Sequence, residues 1–207
     1  MVNSTPIIKY KKLEIMSVCG KITAGLTINC ATPLQAGAED ELILINRDDY
    51  QDAAITYNVT NPQIIEAIVL ASGVTAYSYK GANNAIAPKY EFIKQGFGEL
   101  YSHEINFKVF NVDSAAKEQL MKLAKGQMVA IVNNKFKGTS GDAAYEVYGE
   151  QAGLVVTQNV RDVISQDNQG AFDIIIKSAE TDLEPHMPKT FFTTDLATTK
   201  AAVQGLL

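Results

Sequence analysis

The chain has no tryptophan, only two cysteines and two histidines, and in 207 residues no apolar run long enough to span a bilayer. Each shortage excludes something. A membrane-crossing helix needs about 20 consecutive apolar residues, so none is expected. Cys19 and Cys30, with no histidine nearby, cannot complete a zinc site; in a reducing compartment they read as thiols, and whether they pair stays open. Basic residues are the minority, 18 Lys and Arg against 23 Asp and Glu for a formal net charge of −5, which argues against sequence-independent attraction to nucleic-acid phosphates. The opening Met1-Val2-Asn3-Ser4-Thr5-Pro6 lacks the basic-then-apolar layout of a secretory signal, so synthesis and retention in a cytosol are expected.

What is present points to β structure. Hydrophobic residues make up 46% of the chain, enough to bury a sizeable core and to exclude intrinsic disorder. Short β-branched or aromatic stretches run from Glu41 to Asn46, Ala54 to Tyr57, Ile64 to Leu70, Thr75 to Tyr79 and Tyr90 to Ile93, separated by Asn, Pro, Ser and Gly breaks. Tyr101 to Phe110 alternates: Tyr101, His103, Ile105, Phe107 and Val109 share one face, Ser102, Glu104, Asn106 and Lys108 the other, which predicts one buried and one wet face. Further strands are expected from Gln127 to Val132, Ala144 to Tyr148, Leu154 to Thr157 and Ala171 to Lys177, with Asn133-Asn134 turning the chain into Lys135 to Lys137. One helix is predicted after an Asp113-Ser114 cap, ending at Gly126, and a shorter one from Asp195 to about Gln204. The expected fold is mainly β (α+β), a β-sandwich or small barrel with one packed helix. It forms a single domain over 1–207, with an N-terminal arm at 1–18 and a C-terminal arm plus short helix at 180–207.

No motif names a chemistry. Cys19-Gly20-Lys21-Ile22-Thr23 lacks the first glycine of a phosphate loop and has Ile22 where magnesium needs a hydroxyl. Asp167-Asn168-Gln169-Gly170 lacks the further carboxylates of a calcium loop and reads as a hairpin turn. A metal site would require His103 and His186 to converge with a carboxylate, and His103 sits among the apolar positions of its strand. No catalytic, cofactor or metal residue is therefore assigned, and no cofactor is expected.

Charge is segregated along the chain. Residues 117–137 carry five lysines against Glu118, whereas 142–184 carry nine acids against Arg161 and Lys177. Opposite poles suit head-to-tail packing of copies. Lys122, Lys125, Lys135 and Lys137 are the expected contacts on one side, and Asp142, Glu146, Glu150, Glu180, Asp182 and Glu184 those on the other.

The stretch from Lys137 to Leu154 and the later Glu184-Pro-His-Met-Pro188 resemble segments of virion structural proteins of tailed bacteriophages that infect gut Bacteroidetes, the crAss-like group and its relatives. The resemblance extends more loosely from Gly20 to the C-terminus. It implies a tail-tube-like subunit, a β-sandwich or small barrel with a flanking helix and long hairpins or arms. Such a subunit would assemble with itself and other virion proteins into a ring of the tail or neck. DNA would be passing cargo only, no membrane would be involved, and localisation would be the virion, after synthesis in the host cytoplasm. Two alternatives are a capsid-decorating or head-fibre protein and, given nine Tyr and eight Phe, a small-molecule-binding β-barrel. An enzyme using His103 or His186 with a nearby carboxylate is a third.

Overall fold

The computed structural model describes residues 22, 24–27, 30–82, 84–95 and 98–207. The N-terminal arm and almost all of the phosphate-loop-like stretch, Cys19 included, lie outside the described residues. Contacts divide the chain once, after Ala31, where the sequence shows no boundary, and gather Thr32–Leu207 into one compact unit. That unit is mainly β, as expected.

In chain order it comprises β1 (Ala38–Asn46), α1 (Arg47–Gln51), β2 (Ala54–Tyr57), β3 (Ile64–Val69), β4 (Tyr77–Lys80), β5 (Ile86–Gln95) and β6 (Gly98–Val109). There follow α2 (Ser114–Leu123), β7 (Met128–Asn134), β8 (Tyr145–Tyr148), β9 (Val155–Arg161), β10 (Phe172–Lys177), β11 (Lys189–Phe191) and α3 (Leu196–Gln204). One sheet has the order β2-β3-β11-β8-β7-β1-β4 and the other β5-β6-β10-β9. Their facing sides share a core, in which Leu42, Leu44, Ala130 and Val132 of the larger sheet meet Ile105, Phe107, Ile174 and Ile176 of the smaller. The opposite side of the larger sheet, with Ile43, Ile45, Val129, Ile131 and Val147, buries Tyr50 of α1 and Val203 of α3 in a second cluster. This explains why β1 and β7 are apolar at successive positions: both of their faces are covered.

The β6 register is the expected one, since His103, Ile105 and Phe107 are buried on the core side. The other face is less wet than expected, because Ser102 is buried as well. Asp113 caps α2, its carboxylate accepting from the Ala116 amide at 2.7 Å. The helix ends at Ala124 in right-handed geometry, so Gly126 is not the left-handed terminator that the sequence suggests. Only Leu120 of α2 is fully buried, so the helix leans on its cap. Asp113→Ala should lower the free energy of unfolding by about 1 kcal/mol, read as a lower urea midpoint, while Asp113→Asn should change little. An unchanged midpoint in Asp113→Ala would remove the cap from the account.

Four elements differ from their sequence reading. β5 starts four residues early and contains Pro88; it tolerates proline because it is an end strand of its sheet. β7 continues through Asn133-Asn134 into pairing with β8, where a turn was expected. The Lys137 ammonium holds that segment straight by donating to Asn133 Oδ1 at 2.5 Å and to the Asn134 carbonyl. The turn comes at 138–141, where Gly138 and Gly141 take positive φ. α1 is five residues long, below the length that periodicity can reveal. The stretch 180–207 is not an arm: β11 sits inside the larger sheet, parallel to β3 and antiparallel to β8. Three residues just after Pro185 and Pro188 carry too little pattern to announce it.

Candidate functional site

The residues expected to form two poles fall into three settings. Lys122 and Lys125 are exposed at the end of α2, and Lys122 pairs with Glu118 one turn back at 2.8 Å. Asp142, Glu180 and Asp182 are exposed. Lys135 and Lys137 are half-buried and engaged within the chain: Lys135 donates to Asn84 Oδ1 at 3.1 Å, and Lys137 pairs with Glu39 at 3.2 Å. Glu146 accepts from the Tyr148 hydroxyl at 2.8 Å. Glu150 and Glu184 correct the sequence reading outright, being only 8% and 2% exposed, so neither can meet another chain across a surface. A charge run in sequence alternates between faces once it lies on strands and tight turns.

Glu150 and Glu184 belong to a buried polar cluster built on the 149–153 turn. Gly149 and Gly153 both have positive φ, and a Cβ at Gly153 would run into the Arg47 side chain. That turn presents its amides inward. Gln151 and Ala152 donate to the Glu184 carboxylate, Ala152 at 2.8 Å. Arg47 closes the outside of the turn by donating to the Gln151 carbonyl. Glu184 is delivered by its backbone, which pairs with Tyr101 of β6 in both directions. Burial pushes the Glu184 carboxyl up from the usual carboxylate range; the Ala152 and Gln151 amides oppose that shift, and the Glu150 charge adds to it.

Glu150 is paired with Lys189 of β11, whose Nζ lies 2.9 Å from Oε2 and 3.2 Å from Oε1. The Tyr57 hydroxyl of β2 donates to Oε1, and its ring lies under the ammonium, 4.2 Å from Nζ to the centroid. Burial, followed by the Glu150 hydrogen bond and charge, raises the Tyr57 hydroxyl well above the usual tyrosine value. The β11 strand that the sequence hides is therefore the one that carries the cluster's cation.

His103 lies in the same region and is fully engaged. The Gly149 amide donates to Nδ1 at 3.1 Å, which leaves the proton on Nε2, and Nε2 donates to the His186 carbonyl at 3.0 Å. Its ring stands edge-on to Tyr148, with centroids 5.4 Å apart. Burial pushes its pKa down to about 4, against the raising effect of the His186 hydrogen bond. The two histidines do converge, but through one side chain and one backbone carbonyl, and neither His103 nitrogen is left to bind a metal.

The smaller sheet supplies the most conspicuous surface feature. Its end strands β5 and β9 each have one flank without a strand partner among the described residues. Tyr90 and Phe92 are half exposed on β5, with Phe92 edge-on to Tyr101 at 5.6 Å. On the other side Val160 of β9 is 52% exposed, and Val163 and Ile164 just beyond it are 67% and 89% exposed. The sheet's outer face carries both signs of charge: Glu104 pairs with Lys89 at 3.7 Å and Lys177 at 3.4 Å, while Lys108 donates to the uncharged Asn168 and Asp173 accepts from the uncharged Gln158 at 3.2 Å.

No protein-family model matches this chain, and no curated protein and no solved structure is significantly similar to it. Among the described residues no helix is long and apolar enough to cross a membrane.

Proposed function

We propose that the protein is a non-enzymatic virion structural subunit that assembles into a ring of the tail or neck of a bacteriophage, through which DNA passes. The observation that supports this reading is the smaller sheet with its two free flanks. All of its neighbours are antiparallel, so in a sheet of four strands β5 and β9 run in opposite directions. Copies related by rotation about an axis along the strands would bring the β5 flank of one against the β9 flank of the next, again antiparallel. The four-stranded sheets would then join into one continuous barrel without free edges. Tyr90 and Phe92, on the core-side face of β5, and Val160, on the outer face of β9 with Val163 and Ile164 beyond it, would each bury apolar surface against the neighbouring copy, as a long-lived interface needs. The outer face, turned away from the core, would line the lumen. It mixes Lys89, Lys108 and Lys177 with Glu104 and Asp173, so it presents no field of one sign to hold a phosphate backbone.

Sedimentation velocity combined with negative-stain microscopy of the purified protein tests this. Closed rings are expected, and Phe92→Lys or Val160→Lys should leave monomers with an unchanged far-UV spectrum. Discrete trimers would favour a head-decorating role instead. A wild type that stays monomeric at high concentration, or assembles equally well with either lysine variant, would defeat the reading. A second reading, small-molecule binding, draws on a groove of about 840 Å³ between β4 and α2, lined by Tyr77, Tyr79, Phe110, Leu120 and Met128. That volume falls in the range of ligand sites.

A further inference from the structure

We propose that Lys189 and Glu150 condense inside the folded chain to an isopeptide bond, which would join β11 covalently to the turn after β8. Two arrangements carry this. The amine and the acceptor carboxyl are already in contact, Nζ to Oε2 at 2.9 Å, and both side chains are at least nine-tenths buried, so attack is unimolecular and water is kept out. The Tyr57 hydroxyl donates to Oε1, where negative charge develops as Nζ adds to the carboxyl carbon.

The step balances without any external reagent. The Nζ–Cδ bond forms and the Cδ–Oε2 bond breaks, while Oε1 remains as the amide oxygen under Tyr57. The ammonium gives up two protons, and both end on the departing Oε2, which leaves as water. Both protons pass directly from Nζ to Oε2, which lies in contact with it at 2.9 Å. Nothing is oxidised or reduced. The bond would close a loop from residue 150 to residue 189 and tie together two strands of the larger sheet that also pair by hydrogen bonds.

Intact mass spectrometry of the purified, unfolded wild type decides the matter independently of whether rings form. The mass is expected to fall short of the sequence mass by one water. Proteolysis should then yield one branched peptide joining the segments that contain Glu150 and Lys189. Lys189→Met should have the full mass. Tyr57→Phe should acquire the bond at least tenfold more slowly after refolding. A folded wild type at full mass overturns the proposal, as does a Lys189→Met chain that still lacks a water. A Tyr57→Phe chain that matches the wild-type rate would remove Tyr57 from the step.

Discussion

Replacing Lys189 with alanine is expected to cost about 3–5 kcal/mol, the typical result of stranding one member of a buried ion pair. Lys189 and Glu150 are among the few charged side chains buried here. Their attraction offsets a large desolvation cost only while both are present. Alanine leaves the Glu150 carboxylate with the Tyr57 hydroxyl as its remaining side-chain partner and opens a void beside that ring. Glu150→Ala should cost a similar amount by stranding the ammonium. The double variant Lys189→Met with Glu150→Leu should regain most of the loss, because apolar side chains of similar volume carry no desolvation penalty. Urea midpoints at constant slope measure all four chains. A single-variant loss below about 1 kcal/mol would place the pair with ordinary exposed bridges. A wild type that carries the amide would show a larger gap than the pair alone, because the cross-link also restricts the unfolded chain.

The same pair marks how far the sequence can be read. Strands with a long alternating or continuous apolar pattern, such as β6 and β7, are legible because periodicity alone identifies them, and helix caps such as Asp113 and Asp195 are legible because a short polar side chain before an apolar stripe has one good use. Lys189 is not legible in this way. Its burial depends on β11 slotting between β3 and β8, a non-local event that a three-residue strand directly after a proline does not announce. Glu150 and Glu184 carry the acidic signature of a surface in sequence. Glu184 is inside because a turn with two positive-φ glycines points its amides at it, and Glu150 because Lys189 and Tyr57 meet it there, which supplies the partners a buried carboxylate requires. The signal that could have found them is the glycine spacing, Gly149 and Gly153 around a lone acid, together with the absence of any other donor-rich turn for Glu184. Lys135 and Lys137 illustrate the same limit, since their partners Asn84 and Glu39 are dozens of residues away.

Acidification is expected to weaken the fold through His103. Its ordinary value is 6.5 and its folded value is about 4, because burial disfavours the imidazolium and the Gly149 amide occupies Nδ1. Between those two values the unfolded chain takes up a proton that the folded chain refuses. The stability is therefore present in full above about pH 6.5, declines as pH falls through that window, and has been lost by about pH 4. The drop attributable to this one group is roughly 3 kcal/mol. Glu184 acts in the opposite sense. Its folded value is raised, so the folded chain holds a proton that the unfolded chain releases, and its contribution fades as pH rises above the ordinary carboxylate range. Acid thus recovers through Glu184 part of what it removes through His103, and the net slope is shallower than His103 alone would produce. His103→Gln isolates the first effect, because an amide keeps an acceptor and a donor on the ring's side of β6 without titrating. The variant should be less stable than wild type at pH 7, yet should gain rather than lose stability toward pH 4.5 as Glu184 takes up its proton, so that the two curves of urea midpoint against pH converge toward acid. Parallel curves would show that another group governs the acid response and that the His103 imidazole is not held neutral by its burial.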